Sequence, residues 1–222
     1  MSGWLDTILI AFAEAQLSAR QLHDQAMAVS NKIRQLAATI NMGFLYNSER
    51  KLFAVGYNVS ADRLDNSYYD LLASESRFGS FVAIARGEVP MEHWFSLGRP
   101  YGRVGKSRAL LSWTGTMFEY LMPVIFQYSY DHSLLDRATR QAVAEQIRYA
   151  RRHRIPWGMS ESAYGDLDLD KTYQYKAFGV PTLGLKRILK SQHVVAPYAS
   201  LLSVSIAPKE VVKNLCRLDR IG

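Results

Sequence analysis

Apolar residues along the first part of the chain recur at helical spacing. Trp4, Ile8 and Phe12 stand four apart, Leu17, Leu22 and Met27 continue the face, and Ile33 to Ile40 extends it. No Gly or Pro falls between residues 4 and 42, so one long helix, or two with a break, is predicted over 3–40. The pattern then changes. Phe44-Leu45-Tyr46, the polar Asn47-Ser48-Glu49-Arg50, and Leu52 to Tyr57 read as a short β-hairpin. Helical spacing returns over 66–86, with Asn66 or Ser67 able to cap it and Gly87 and Pro90 ending it. Residues 91–108 read as a loop. Residues 109–128 are apolar nearly all round and predict an inner helix, kinked or ended by Pro123.

Further along, 133–154 predicts an amphipathic helix. Ser133 is its cap, Leu135, Ala138, Ala142, Val143, Ile147 and Ala150 form its stripe, and arginines occupy the other face. Trp157 to Gly165 and the tyrosines and acids of 166–193 read as loops. Val195 to Ser205 is a short apolar helix, and Ala207-Pro208 starts another that runs to Arg220 with Val212 and Leu215 inward. The expected fold class is all-α with one small β-hairpin, and neither a repeat nor a domain boundary stands out.

Composition narrows the function classes. The 222 residues are 48% hydrophobic and 21% charged, ordinary values for one globular domain. Thirteen Tyr, nine Phe and four Trp suit the wet aromatic surfaces of sugar clefts as well as plain cores. The net charge is +7, with basic residues clustered in Arg148–Arg154 and at Lys186-Arg187. No aromatic-interleaved or recognition-helix pattern accompanies them, so a solvated helix face is expected and no nucleic-acid partner. Cys216 stands alone and can form no internal disulfide, and no His/Cys cluster has metal-ligand spacing; no metal or cofactor is expected. Ile8 to Ala13 is bracketed by Asp6 and Glu14 and is neither a signal peptide nor a membrane span. Gly102 to Ser107 looks superficially like a phosphate loop but lacks its spacing. Asp166, Asp168 and Asp170 alternate as in half a calcium loop, without the glycine and glutamate such a loop needs.

Three carboxylates have suggestive settings. Glu161 sits among hydroxyls, glycines and aromatics, either as a sugar-site carboxylate or as a solvated loop residue. At 100° per residue Glu75 falls amid Tyr68, Leu71, Leu72, Phe78 and Val82 on one predicted helix face. Burial there would raise its pKa, as a general acid needs, unless it merely bonds a buried Tyr or Arg. Glu119 lies within the predicted inner helix.

Several blocks carry a resemblance. Leu64-Asp65-Asn66-Ser67-Tyr68-Tyr69-Asp70-Leu71-Leu72-Ala73-Ser74-Glu75, His93 to Arg99, Ser112 to Pro123, Trp157 to Tyr164, Tyr173 to Arg187 and Ala196 to Ala199 occur here in order. Together they resemble the glucoamylase-like middle region of cyclic β-1,2-glucan synthases, over nearly the whole chain. The resemblance implies an (α/α)-barrel of paired helices, with 1–222 as one glucoamylase-like domain making up the N-terminal part of a six-pair barrel that is truncated at its C-terminus. It implies a β-1,2-glucan substrate, cyclised by transglycosylation with retained anomeric configuration, and a parent synthase whose other regions are partners at the cytoplasmic side of the bacterial inner membrane. By position, Glu75 corresponds to the acid/base and Glu161 to the nucleophile, with Glu119 in reserve. Asp70, Trp113, Tyr164, Tyr173 and Gln174 are the expected sugar contacts. A β-1,2-glucan hydrolase and a non-catalytic glucan-binding remnant are the alternatives.

Overall fold

A computed structural model describes residues 2–105, 107–186 and 193–221. The chain divides into two compact units, 1–44 and 45–222. The first is in essence one helix, α1 (Ser2–Thr39), unbroken as the absence of interior Gly and Pro dictates. Among the described residues, no helix is long and apolar enough to cross a membrane.

The second unit begins with the expected hairpin, β1 (Tyr46–Asn47) and β2 (Leu52–Ala54). Asn47 Oδ1 accepts the Arg50 amide at 2.8 Å and closes its turn. β3 (Tyr57–Asn58) and β4 (Arg63–Leu64) form a second hairpin, and β5 (Tyr68–Tyr69) returns to pair with β2. Next come α2 (Arg77–Ala85), α3 (Glu92–Ser96), a hairpin of β6 (Tyr101–Val104) and β7 (Ser107–Leu110), α4 (Met117–Phe126) and α5 (Leu134–His153). The hairpin of β8 (Glu161–Leu167) and β9 (Tyr173–Ala177), then α6 (Pro197–Leu202) and α7 (Pro208–Asp219), complete the order.

This architecture corrects the expected all-α class and its barrel of paired helices. Helices alternate with four small antiparallel sheets among the described residues, so the fold is mixed α/β. The misreading has a physical source. Apolar runs of a few residues fit a buried helix and a strand equally, and only the pairing partner decides. Tyr68-Tyr69 opens no helix because β2 takes its backbone, and Ser107–Leu110 is taken by β6. The supposed loops 91–108, 157–165 and 166–193 hold α3, β6, β8 and β9. Lys106, in the phosphate-loop-like segment, and Arg187, in the second basic cluster, lie outside the described residues. On α7 the buried valine is Val211, beside buried Asn214, while Val212 is exposed.

α5 forms as read. Ser133 Oγ accepts the Asp136 amide at 3.2 Å, and Ala138, Ala142, Val143 and Ala150 are buried. Its arginines are partly absorbed by structure: Arg148 pairs with Glu145, and Arg151 meets Glu210 at 3.1 Å. Pro123 does not end α4, which continues to Phe126. Proline supplies no N–H to the carbonyl four residues back, that of Glu119. Buried Arg77 fills the gap, its Nη1 at 3.4 Å from that carbonyl and Nη2 at 2.9 Å from the carbonyl of Tyr120. Burial pulls the Arg77 guanidinium down to about 10.

The core gathers Leu72, Leu97, Leu110, Leu121, Met159 and Leu183. Through it runs the extended segment 157–161, held by two side-chain amides that act as strand partners. Gln146 of α5 takes the Met159 amide on Oε1 and gives Nε2 to the Met159 carbonyl, both at 2.9 Å. Asn214 of α7 treats Trp157 alike, at 3.0 and 2.8 Å. Gly158 between them has φ +117°, a conformation closed to most side chains. Removing the buried Gln146 amide leaves the Met159 N–H without its partner and leaves the Met159 carbonyl only the Met117 amide, at 3.2 Å. Gln146→Leu is therefore expected to destabilise the chain by roughly 2–4 kcal/mol, read from its urea midpoint, although Leu is the more apolar residue.

Candidate active site

Glu75 does not ride on a helix face. It lies in the bends between β5 and α2, a stretch tied to the 97–99 segment by reciprocal backbone bonds: Gly98 N to Asp70 O at 2.6 Å and Leu72 N to Gly98 O at 2.9 Å. Ser74 Oγ lies 3.2 Å from Glu75 Oε2 and itself accepts the Ser76 amide. The burial inferred from the wrong element nevertheless exists. Desolvation raises the Glu75 pKa, and the negative charges of Glu119 and Glu161 raise it further.

Glu161 opens β8, directly after the segment that the two amides hold. Tyr175 on β9 donates its hydroxyl to Glu161 Oε2 at 2.6 Å. Tyr175 pairs with Ala163, so this is a diagonal cross-strand contact on one face of the hairpin. The Tyr198 hydroxyl lies 2.8 Å from the Glu161 carbonyl and 2.9 Å from Ser160 Oγ, which also accepts the Phe118 amide at 3.1 Å. Burial raises the pKa of Tyr69, and the charges of Glu75 and Glu161 add to it. Tyr175, whose ring is largely exposed, is raised by partial desolvation first, then by its bond to Glu161, with Glu75 contributing. Tyr198 is likewise raised by burial and by Glu161. The charge of Glu161 thus acts on Glu75, and Tyr69 and Tyr175 respond to both carboxylates.

Glu119 has a different setting. Its Oε2 accepts from the hydroxyls of Ser112, Thr114 and Thr116 and from the Thr116 amide at 2.7–2.9 Å, and Oε1 accepts the Thr114 amide at 3.0 Å. Together with Thr116 it forms a capping box that starts α4. The 112–116 loop is therefore wrapped around this carboxylate. Gly179 packs so closely on the loop that a Cβ there would overlap the Thr114 carbonyl. The loop presents Trp113, half exposed, whose indole N–H donates to Asp70 Oδ1 at 2.8 Å.

The remaining expected contacts divide by face. Tyr164 packs edge-on against Phe178 with centroids 5.1 Å apart, and Lys176 lies over the same ring. They occupy the hairpin face away from Glu161 and Tyr175, and strand alternation puts Gln174 there too. Tyr173 shares the Tyr175 face and is exposed. Asp168 caps the hairpin turn by accepting the amides of Asp170 and Thr172 at 3.0 and 2.9 Å. Among the described residues no group of three or more His, Cys, Asp or Glu could hold a metal ion. Sequence reasoning missed Tyr69, Tyr175 and Tyr198. The two-residue alternation in Tyr173-Gln174-Tyr175 was the signal for one of them, because it marks a strand with both tyrosines on one side.

A family model described as putative glucoamylase matches residues 67–222, which include both glutamates and every other candidate residue. The cyclic beta-(1,2)-glucan synthase NdvB of Rhizobium meliloti (strain 1021) is 45% identical over 201 residues, 90% of this chain. The chain spans 7% of that protein's length.

The raised Glu75 pKa has a consequence for stability. The native state holds this proton more tightly than the unfolded chain, so the contribution is favourable at low pH and is lost as pH rises through the native pKa. Glu75→Gln should raise the urea midpoint relative to the parent above neutrality. The difference should vanish below about pH 4, where Glu is protonated in both states.

Proposed function

The chain belongs to the putative glucoamylase family, a family of carbohydrate-active enzymes, and on that premise we propose that Glu75 and Glu161 act as a retaining pair on a β-1,2-glucan. The observation that carries this reading is the contrast between two coupled carboxylates. One is desolvated and raised, and the other is oriented by a single tyrosine hydroxyl at a strand end.

In the first step Glu161 attacks the anomeric carbon while Glu75, as the acid, gives its proton to the departing glycosidic oxygen. A glycosyl ester on Glu161 results. In the second step Glu75, now a carboxylate, takes the proton of an incoming hydroxyl. That oxygen attacks the anomeric carbon and frees Glu161, and two inversions restore the original configuration. A hydroxyl from the same glucan chain closes a ring, one from another chain transfers, and water hydrolyses. Trp113, steadied by Asp70, and the exposed rings of Tyr173 and Tyr175 are the sugar-stacking surfaces of this reading. Their exposure also favours a second reading, glucan binding without turnover.

Mass spectrometry of linear β-1,2-glucan incubated with the chain separates the two. Ring closure or transfer is expected, appearing as products one water lighter or as redistributed lengths. Glu75→Gln should lose about 10²–10⁴-fold in rate, Glu161→Gln should be inactive, and Tyr175→Phe should lose about 10-fold, the worth of one hydrogen bond to a charged group. Glucan that binds and returns unchanged would establish the second reading.

A further inference from the structure

α1 has a regularity finer than an apolar face. Along Ser2–Thr39 apolar residues recur in alternating steps of three and four. Leu5, Phe12, Ala19, Ala26 and Ile33 fill one core position of a seven-residue repeat, and Ile8, Ala15, Leu22, Val29 and Leu36 fill the other. A helix that lies on a globular core needs only a broad stripe of period 3.6. A period of 3.5 kept over the whole length marks a seam made to run along another helix. No charge interrupts the seam, and Leu5, Phe12, Leu22, Val29, Ile33 and Leu36 are all more than half exposed.

We infer that α1 pairs with α1 of a second copy of this chain as an antiparallel two-stranded coiled coil. The charges select this partner and this direction. Residues 2–19 carry Asp6 and Glu14 and no basic residue, while 20–39 carry Arg20, Lys32 and Arg34 against Asp24. The first part is therefore −2, and the second is +3 − 1 = +2. Such a gradient also suits the helix macrodipole, but the macrodipole does not require a seam. Two parallel copies in register would set acid beside acid and base beside base. Two antiparallel copies set each acidic part beside a basic one.

The seam is self-complementary in the same direction. With Leu5 opposite Leu36, Ile8 meets Ile33, Phe12 meets Val29, Ala15 meets Ala26, and Ala19 meets Leu22. Every residue of one core position thus faces a residue of the other, as a two-fold axis demands. The alanines fall near the middle and let the backbones approach closely. A shallow hollow bordered by Leu22, Gln25, Ala26, Val29, Ser30 and Ile33 has the make-up of a hole that receives a knob. The antiparallel register aims Phe12, the largest seam residue, at it.

Light scattering on the full chain at micromolar concentration is expected to give twice 25.2 kDa. Ala19→Glu together with Leu22→Glu should yield the monomer, whereas Leu17→Glu, outside the seam, should leave the dimer intact. In a Cys216→Ser background, chains carrying Leu5→Cys mixed with chains carrying Leu36→Cys should cross-link to each other under mild oxidation, and neither should cross-link alone. A monomeric parent chain would overturn the inference, as it would if α1 rested on its own chain. Dissociation by Leu17→Glu would overturn the seam, and self-linking of Leu5→Cys would overturn the antiparallel direction.

Discussion

The second unit depends on the way two side-chain amides hold the backbone of 157–161. This stretch is extended and mostly buried, and before β8 begins at Glu161 it has only an isolated bridge from Met159 to Val195 in place of a regular strand partner. Gln146 and Asn214 replace the missing strands, each giving one donor and one acceptor to alternate residues. Three consequences meet there. α5 and α7 are locked to the same segment, Ser160 is fixed between Phe118 and Tyr198, and Glu161 leaves the core at a defined point. An apolar substitute at either amide could fill the space but could not replace the bonds.

The three glutamates show how surroundings divide labour among identical side chains. Glu119 is saturated by donors and builds a loop. Glu75 is desolvated and feels two like charges, so it binds a proton more tightly than a free carboxyl does. Glu161 stands at a strand end with one tyrosine on it. The first is spent on architecture, and it thereby sets Trp113 against Asp70.

Legibility in the sequence followed the length of each pattern. α1, α5 and the first hairpin were readable because many residues repeat one period, or because a polar turn separates two apolar runs. β5, β7, β8 and β9 were not, because two to seven residues carry too little periodicity and each strand exists through its partner. Glu75 is expected on a buried helix face, but the helix begins only at Arg77, and the burial of Glu75 comes instead from the turn before α2. The blocks shared with a known family singled out Glu75 and Glu161 as a pair. Periodicity alone could not do so, since some 86 residues separate them in the chain. Gln146 and Asn214 gave no sign, because an amide at the border of an amphipathic stripe looks like any other boundary residue.

Pro123 carries one last implication. By withholding a donor it creates a carbonyl that only a side chain can serve, and buried Arg77 is a cation that needs such acceptors. Each is a liability alone, and docking α2 onto α4 gives the carbonyl a donor and two of the three guanidinium nitrogens an acceptor, leaving Nε without one. A misplaced α2 would leave a bare carbonyl and a bare guanidinium together, so an error in assembly is penalised twice. The proline thus acts as a proofreading device for the placement of the strand–helix junction that bears Glu75.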